Sequence, residues 1–290
     1  METDVICNAC PRNCNAIRSL NNGSGFCKAG LLPKIARSAP HFWEEPCISG
    51  KKGSGTIFFS ECVLRCVYCQ NYKISSEHIG QVRSEDEFIE IIKKLESEGV
   101  HNINLVNPTH FIETIINCFS RYKPSVPVVY NSSGFEKAES IHRLFGIVNV
   151  YLPDFKYGND KIAKKYSGTD NYTSTALMAI KEMASQTGAC RFDSDGMIQS
   201  GTIVRHLVLP SNTKNSIEAL NLLYDIKDSI QISLMGQYIP AGRAGEFPEI
   251  NRKITRREYE KVKQKLFELG FEGYVQELSS ADSKYVPDFE

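Results

Sequence analysis

The sequence predicts an α/β fold: an open, partial (βα)6 barrel with a Cys-rich N-terminal extension. Three observations lead there. From about residue 53 onward, short apolar runs alternate with segments of helical periodicity, the pattern of a mostly parallel sheet with helices outside it. Six such units can be traced, too few for the closed eight-stranded barrel. The ten cysteines, at 7, 10, 14, 27, 47, 62, 66, 69, 118 and 190, are spread unevenly, and seven of them fall into two tight groups.

Residues 1–50 are polar, weakly periodic and rich in cysteine, so we read them as a loop-dominated extension. Residues 51–245 are read as the barrel, and 246–290 as a C-terminal helix and strand that complete it. The apolar run 56–60, after Gly53 and Gly55, predicts a first buried strand. Ser84 and Glu87 are spaced as a capping box, and Phe88, Ile91, Ile92 and Leu95 recur at helical intervals until Gly99. Strand 102–106 then pairs with helix 110–121, strand 126–130 with helix 136–145, and strand 148–152 with helices 159–166 and 173–186. Asp195-Gly196 marks the turn of a small hairpin. Strand 202–209, helix 213–227 and strand 230–235 follow. A second capping box, Thr255 with Glu258, opens a final helix over 255–269, and 274–278 adds a terminal strand. Folds of this kind carry their chemistry at the carboxyl ends of the parallel strands.

Lys plus Arg total 34 and Asp plus Glu total 34, which argues against a broad basic surface for nucleic acid and against an acidic disordered chain. Hydrophobic residues make up 41%, as in an ordinary globular protein, and no apolar run of about 18 residues suggests a membrane span. The segment Met1-Glu2-Thr3-Asp4-Val5-Ile6-Cys7 lacks the basic region and apolar core of a secretory signal, so a cytoplasmic location is expected. In that compartment closely spaced cysteines read as metal ligands rather than as a disulfide framework.

Cys62-Val63-Leu64-Arg65-Cys66-Val67-Tyr68-Cys69 follows the first barrel strand with the spacing C-x3-C-x2-C. Three thiolates in one loop can hold three irons of a [4Fe-4S] cluster and leave the fourth open to chemistry. A zinc site completed by a distant Cys or His would use the same residues. The spacing and its location resemble the radical S-adenosylmethionine (SAM) superfamily. That resemblance implies catalytic cluster ligands at Cys62, Cys66 and Cys69, with the amino and carboxylate groups of SAM chelated at the open iron. It implies reductive cleavage to methionine and a 5′-deoxyadenosyl radical that abstracts hydrogen. It also sets Tyr68, the aromatic residue before the third cysteine, against adenine. Cys66-Val67-Tyr68-Cys69-Gln70-Asn71 is similar to the activating enzymes of glycyl radical enzymes, such as pyruvate formate-lyase activating enzyme. In those enzymes the matching Asn contacts the SAM site; Asn71 is equally a residue type found in turns.

Further segments extend the resemblance. Leu152-Pro153-Asp154-Phe155-Lys156 is similar to the activases' D-x-K segment, which implies SAM contacts for Asp154 and Lys156. Two such residues at a strand terminus can point into one mouth, where Lys pairs with a carboxylate; a surface ion pair is the alternative. Val204-Arg205-His206-Leu207-Val208-Leu209-Pro210 resembles the family's V-R-x-x-V-x-P strand, in which the Arg reaches the SAM carboxylate or ribose. His206 alternates to the opposite face and reads as structural. Tyr130-Asn131-Ser132-Ser133-Gly134 is similar to an Asn-Gly segment after the third strand, making Asn131 and Ser133 cofactor neighbours or ordinary loop residues. One departure stands out. The superfamily's Gly-Gly-Glu-like segment, which meets the SAM ammonium, is replaced by Leu105-Val106-Asn107-Pro108-Thr109-His110, in which Asn107 or Thr109 would have to serve as acceptor.

Cys7, Cys10, Cys14 and Cys27 form a second set, spaced C-x2-C-x3-C-x12-C. Four thiolates make a closed site suited to structural zinc or to a second [4Fe-4S] cluster. The N-terminal C-x2-C-P-R-x-C pattern joined to the central loop, with Leu234-Met235-Gly236-Gln237-Tyr238-Ile239-Pro240 and Val286-Pro287-Asp288-Phe289, resembles a pyruvate formate-lyase activating enzyme-like subfamily of unknown substrate. The implied function is hydrogen abstraction from a protein or peptide, with a glycyl radical enzyme as one partner and flavodoxin or ferredoxin as electron donor. A small-molecule substrate, or a non-catalytic iron–sulfur or zinc module, is the alternative. Cys118 reads as a small core residue, and Cys47 and Cys190 are isolated.

Overall fold

The computed structural model describes residues 5–278 and Phe289. In chain order the elements are β1 (Val5–Ile6), β2 (Ile17–Arg18), β3 (Lys34–His41), α1 (Pro46–Ser49), β4 (Ser54–Phe59), α2 (Tyr72–Ser75), β5 (Gln81–Val82), α3 (Glu85–Ser97), β6 (Ile103–Val106), α4 (Ile112–Arg121), β7 (Val128–Ser132), α5 (Ala138–His142), β8 (Val150–Pro153), α6 (Asp160–Ser167), α7 (Tyr172–Thr187), β9 (Arg191–Phe192), β10 (Ile198–Leu207), α8 (Thr213–Leu223), β11 (Gln231–Met235), α9 (Arg256–Glu268) and β12 (Gly273–Val275). The six strands β4, β6, β7, β8, β10 and β11 run parallel and neighbour one another in sequence order, as the six-unit reading requires. β12 adds a further parallel strand beyond β11. The expected hairpin is present, with β9 antiparallel to β10 around Asp195-Gly196.

At the other edge the sheet reaches back into the Cys-rich region. β3 runs antiparallel to β4, and β5 pairs with β3. No strand is expected here from sequence, because Lys-Ile-Ala-Arg-Ser-Ala-Pro-His shows no clean alternation of polar and apolar residues. β3 covers only an edge, where one face remains partly exposed and patterning is weak.

Helices lie outside the strands because their apolar stripes must be buried. α3 is held by the capping box read from sequence: the Glu87 backbone N–H donates to Ser84 Oγ at 3.2 Å, and the Ser84 N–H donates to the Glu87 carboxylate at 2.7 Å. Its Phe88, Ile92 and Leu95 are buried, each contributing roughly 1.5–3 kcal/mol. α9 repeats the device with Thr255 and Glu258. α5 is shorter than the predicted 136–145 because Glu136 turns inward instead of starting the helix. No helix among the described residues is long and apolar enough to cross a membrane.

The inner face of the barrel is closed at its amino-terminal end by the turn that joins β3 to β4. Cys47 and Ile48 of α1 pack there on Val129, Val150, Leu152 and Ile203. The Asn102 side chain donates to the Ile48 carbonyl at 2.8 Å. Closure at this end leaves the carboxyl ends of the strands as the open mouth.

Candidate active site

The loops leaving β4, β6, β7, β8, β10 and β11 surround one cavity at the carboxyl ends of the strands. Its wall includes Cys62, Cys66, Cys69, Tyr68, Asn71, Asn107, Asn131, Ser133, Asp154, Lys156 and Arg205. Eleven of the twelve residues that sequence reading assigned to the central site therefore meet in one place. Thr109 is the exception. It begins a short 3-10 turn and faces the core, where its hydroxyl donates to Glu136 Oε1 at 2.6 Å. Its expected role as an acceptor at the cavity is not met, because its side chain is fully buried in the core and lines no part of the cavity.

The three cysteines are held by local donors. The Leu64 N–H points to Cys62 Sγ at 3.4 Å, Ser167 Oγ donates to Cys66 Sγ at 3.0 Å, and Ser75 Oγ reaches Cys69 Sγ at 3.5 Å. Burial pushes the Cys62 thiol up to about 12 and also raises Cys69. Uncoordinated, these two thiols stay protonated, whereas a bound metal deprotonates its thiol ligands outright. The Tyr68 hydroxyl donates to the Tyr157 hydroxyl at 2.9 Å, and Tyr157 is linked to Ser167 at 2.7 Å. The aromatic residue of the loop is thus anchored to the same serine that touches Cys66.

Opposite the cysteines lies a charged group. Arg205, on β10, donates through Nε to Asp154 Oδ1 at 2.9 Å, through one terminal nitrogen to Glu44 Oε2 at 3.1 Å and through the other to Asn131 Oδ1 at 2.5 Å. Lys156 pairs with the second Asp154 oxygen. Burial alone would raise Asp154, but Arg205 and Lys156 hold it below the usual carboxylate range. Burial opposes the charged form of Lys156 too, and Asp154 more than offsets it, leaving its pKa raised. The surface ion pair that sequence left open is thus a largely buried pair at the mouth. His206 faces the other way, with Nδ1 2.6 Å from the Phe155 carbonyl, and burial lowers its pKa to about 4, as suits a structural histidine.

Glu44 and Glu45 also belong to this group, although no sequence motif marks them. Glu44 enters from the closed end and also accepts from Asn104 and Asn131, each at 3.3 Å. Burial raises both carboxyls despite the nearby Arg205. Two adjacent acids in an aperiodic turn carry no local signal; only closure of the barrel brings them to Arg205. No motif marks Glu61 either. It directly precedes Cys62, has φ +73°, and is paired with Lys34 at 3.2 Å and with His78.

The cavity also suits a bulky polar cofactor. Ser133 Oγ is buried on its wall and has no hydrogen-bond partner among the described residues. Gly134 has φ +74°, and a Cβ there would lie 2.1 Å from the Asp154 carbonyl oxygen, so the chain can close beneath the cavity only with glycine. Asn107, at φ +62°, directs its amide to the Glu61 carbonyl. Three thiols on one side, with a free hydroxyl, amides and paired charges on the other, fit a three-cysteine cluster facing an amino-acid-bearing cofactor.

The N-terminal cysteines also approach one another. Cys10 lies within electrostatic reach of Cys7 and Cys27, and Cys27 within reach of Cys7 and Cys14. Among the described residues, no three His, Cys, Asp or Glu side chains converge closely enough to hold a single metal ion.

Parallel strands in this order, with a cysteine loop after the first, define a class of cofactor-dependent α/β enzymes. The radical SAM superfamily profile matches residues 56–223, more than half of the chain, and the chain belongs to that superfamily. Membership implies a [4Fe-4S] cluster and SAM as cofactors. The uncharacterized protein MJ0674 of Methanocaldococcus jannaschii is 29% identical over 266 residues, covering 88% of this chain and 72% of that protein. Among solved structures, Streptococcus suis SuiB bound to its precursor peptide SuiA is similar in fold, with a TM-score of 0.51, 11% identity and 76% of this chain covered. Methylornithine synthase (PylB) gives a TM-score of 0.49 at 14% identity over 73% of this chain. This chain spans 48% of the SuiB chain and 61% of the methylornithine synthase chain.

Proposed function

We propose that this radical SAM enzyme binds its cluster through Cys62, Cys66 and Cys69 and abstracts hydrogen from a protein or peptide. The observation that carries the site assignment is the meeting of the three thiols with the Asp154–Lys156–Arg205 group across one cavity. When bound, the cluster and SAM together supply a one-electron reduction and a carbon-centred radical. The chain's own residues bind and orient. Lys156 and Arg205 present positive charge to a carboxylate, Asp154 sets their geometry, and the free Ser133 hydroxyl with the Asn71, Asn107 and Asn131 amides offers hydrogen bonds to the polar groups of SAM. Tyr68, tethered through Tyr157 to the serine that touches Cys66, is assigned to adenine.

The choice of a macromolecular substrate rests on the resemblance of Cys66-Val67-Tyr68-Cys69-Gln70-Asn71 to glycyl radical activases. Flavodoxin or ferredoxin is the matching electron donor. Cys7, Cys10, Cys14 and Cys27 are assigned a second metal, zinc or [4Fe-4S], on the strength of their C-x2-C-x3-C-x12-C spacing, with Cys27 within electrostatic reach of Cys7, Cys10 and Cys14.

The test is electron paramagnetic resonance of anaerobically reconstituted, reduced protein with and without SAM, paired with assay of methionine and 5′-deoxyadenosine. A [4Fe-4S]⁺ signal altered by SAM, lost on Cys66→Ala, is the expected result. A signal indifferent to SAM and lost only with the N-terminal cysteines would instead make the chain a metal module without this chemistry. Trapping an organic radical on an added peptide, rather than on a small molecule, decides the substrate class.

A further inference from the structure

Arg12 stands between two ligand positions of the N-terminal group, Cys10 and Cys14, yet its side chain is spent on the central loop. Nε donates to the Val63 carbonyl at 2.7 Å, and one terminal nitrogen reaches the Leu64 carbonyl at 3.4 Å and the Ser167 carbonyl at 2.9 Å. The other donates to the Gly168 carbonyl at 2.9 Å. Val63 and Leu64 lie between Cys62 and Cys66, and Ser167 is the residue whose hydroxyl touches Cys66 Sγ. Ser167 and Gly168 end α6, where a positive charge is also favoured by the exposed carbonyls of the last turn.

The contact is reciprocated. The Arg12 guanidinium covers the ring of Phe26 at 3.8 Å from its centroid, and Arg65, from within the central loop, lies 5.1 Å from the same centroid. Arg65 also donates to the Cys27 carbonyl at 3.4 Å. Phe26, the neighbour of Cys27, is therefore flanked by one arginine from each cysteine group. A planar fork with five donors can reach four carbonyls on two elements; a lysine ammonium cannot match that geometry.

We propose that Arg12 is a positioning residue for the catalytic cluster: it ties the N-terminal cysteine group to the Cys62–Cys66 loop and holds a positive charge against it. This rests on the cluster assignment proposed above. The charge is within electrostatic reach of Cys10, Cys62 and Cys66. Reduction adds an electron to the cluster, so a nearby fixed cation favours the reduced form, and more strongly where water is excluded.

The experiment is EPR of the anaerobically reconstituted protein at one fixed potential, chosen so that half of the wild-type SAM-responsive cluster is reduced. Arg12→Gln removes charge and fork together, and its reduced-to-oxidised ratio is expected to fall about tenfold, equivalent to about 59 mV for one electron. Arg12→Lys keeps the charge and should stay within twofold of wild type in that ratio, while its weaker grip on the loop broadens the SAM-induced signal. A ratio in Arg12→Gln within twofold of wild type overturns the proposal. So does an equal fall in Arg12→Lys, which would remove charge as the cause. Should Arg12→Gln fail to take up iron, Phe26→Leu decides: it keeps apolar bulk but removes the ring face used by both arginines. A fall of about threefold is then expected, and an unchanged ratio overturns the proposal. Wild-type protein with no SAM-responsive signal would instead overturn the cluster assignment, before any variant is compared.

Discussion

At the residue scale, the charged group around Arg205 carries the most consequence. Each of its three hydrogen-bonding nitrogens is committed to a different side chain, so no neutral or shorter residue restores the set. Asp154→Asn leaves Arg205 and Lys156 with an uncompensated buried charge, and a loss of about 3 kcal/mol in chemical denaturation of the apo-protein is expected. Arg205→Lys keeps a charge but loses the fork. SAM affinity, measured by equilibrium binding to the reconstituted protein, should weaken about tenfold or more.

Glu136 gives a prediction that does not depend on any cofactor. Burial pushes its carboxyl up to about 7, against the lowering effect of the Thr109 hydroxyl. Between about pH 4.5 and pH 7 the folded state holds a proton that the unfolded state has released. Stability therefore falls as pH rises through that window, by about 3 kcal/mol in total from this group. Glu136→Gln should flatten the decline. Parallel pH-dependent denaturation curves for the two proteins would show this assignment to be wrong.

At the element scale, the turn after β7 and the cap of α3 respond differently to substitution. Gly134→Ala places a Cβ against the Asp154 carbonyl oxygen at a positive φ, so a loss of about 2 kcal/mol or more is expected, with weakened SAM binding because β8's end must shift. Ser84→Ala removes one cap bond far from the mouth and should cost about 1 kcal/mol in denaturation with SAM binding unchanged. The elements that sequence placed well are those with strong local signals: both capping boxes, the helix repeat of α3, and the Asp195-Gly196 hairpin. β3 and α1 carried no such signal. They are fixed by what they cover, an open strand edge and the closed end of the barrel.

At the scale of the whole molecule, two cysteine groups from separate stretches of chain are bound together through Arg12, Phe26 and Arg65, while Arg18 of the extension donates to the His110 carbonyl at 2.7 Å. The extension is thus held against the barrel by cationic side chains on backbone carbonyls, Arg18 buried and Arg12 half-buried. A three-cysteine cluster with an open iron is also accessible to oxidants. Reconstituted protein exposed to air should lose iron and its SAM-responsive signal together, as followed by iron content per chain and EPR; full retention over days would contradict an open iron site.

The class of the fold, the order of its parallel strands and the cysteine loop that defines the superfamily are legible in the chain, because periodicity and spacing are properties of neighbouring residues. Asp154, Lys156 and Arg205 were legible through the resemblance of the segments around them to the superfamily, Asp154 and Lys156 at the end of a strand and Arg205 within one. That Glu44 completes the Arg205 group, that Thr109 serves the core instead of the cavity, and that Arg12 reaches across to the cluster loop follows from the folded chain alone. Those contacts join residues distant in the chain through barrel closure and buried hydrogen bonding. No local pattern encodes them, because each depends on which carboxylates and carbonyls the fold leaves without water.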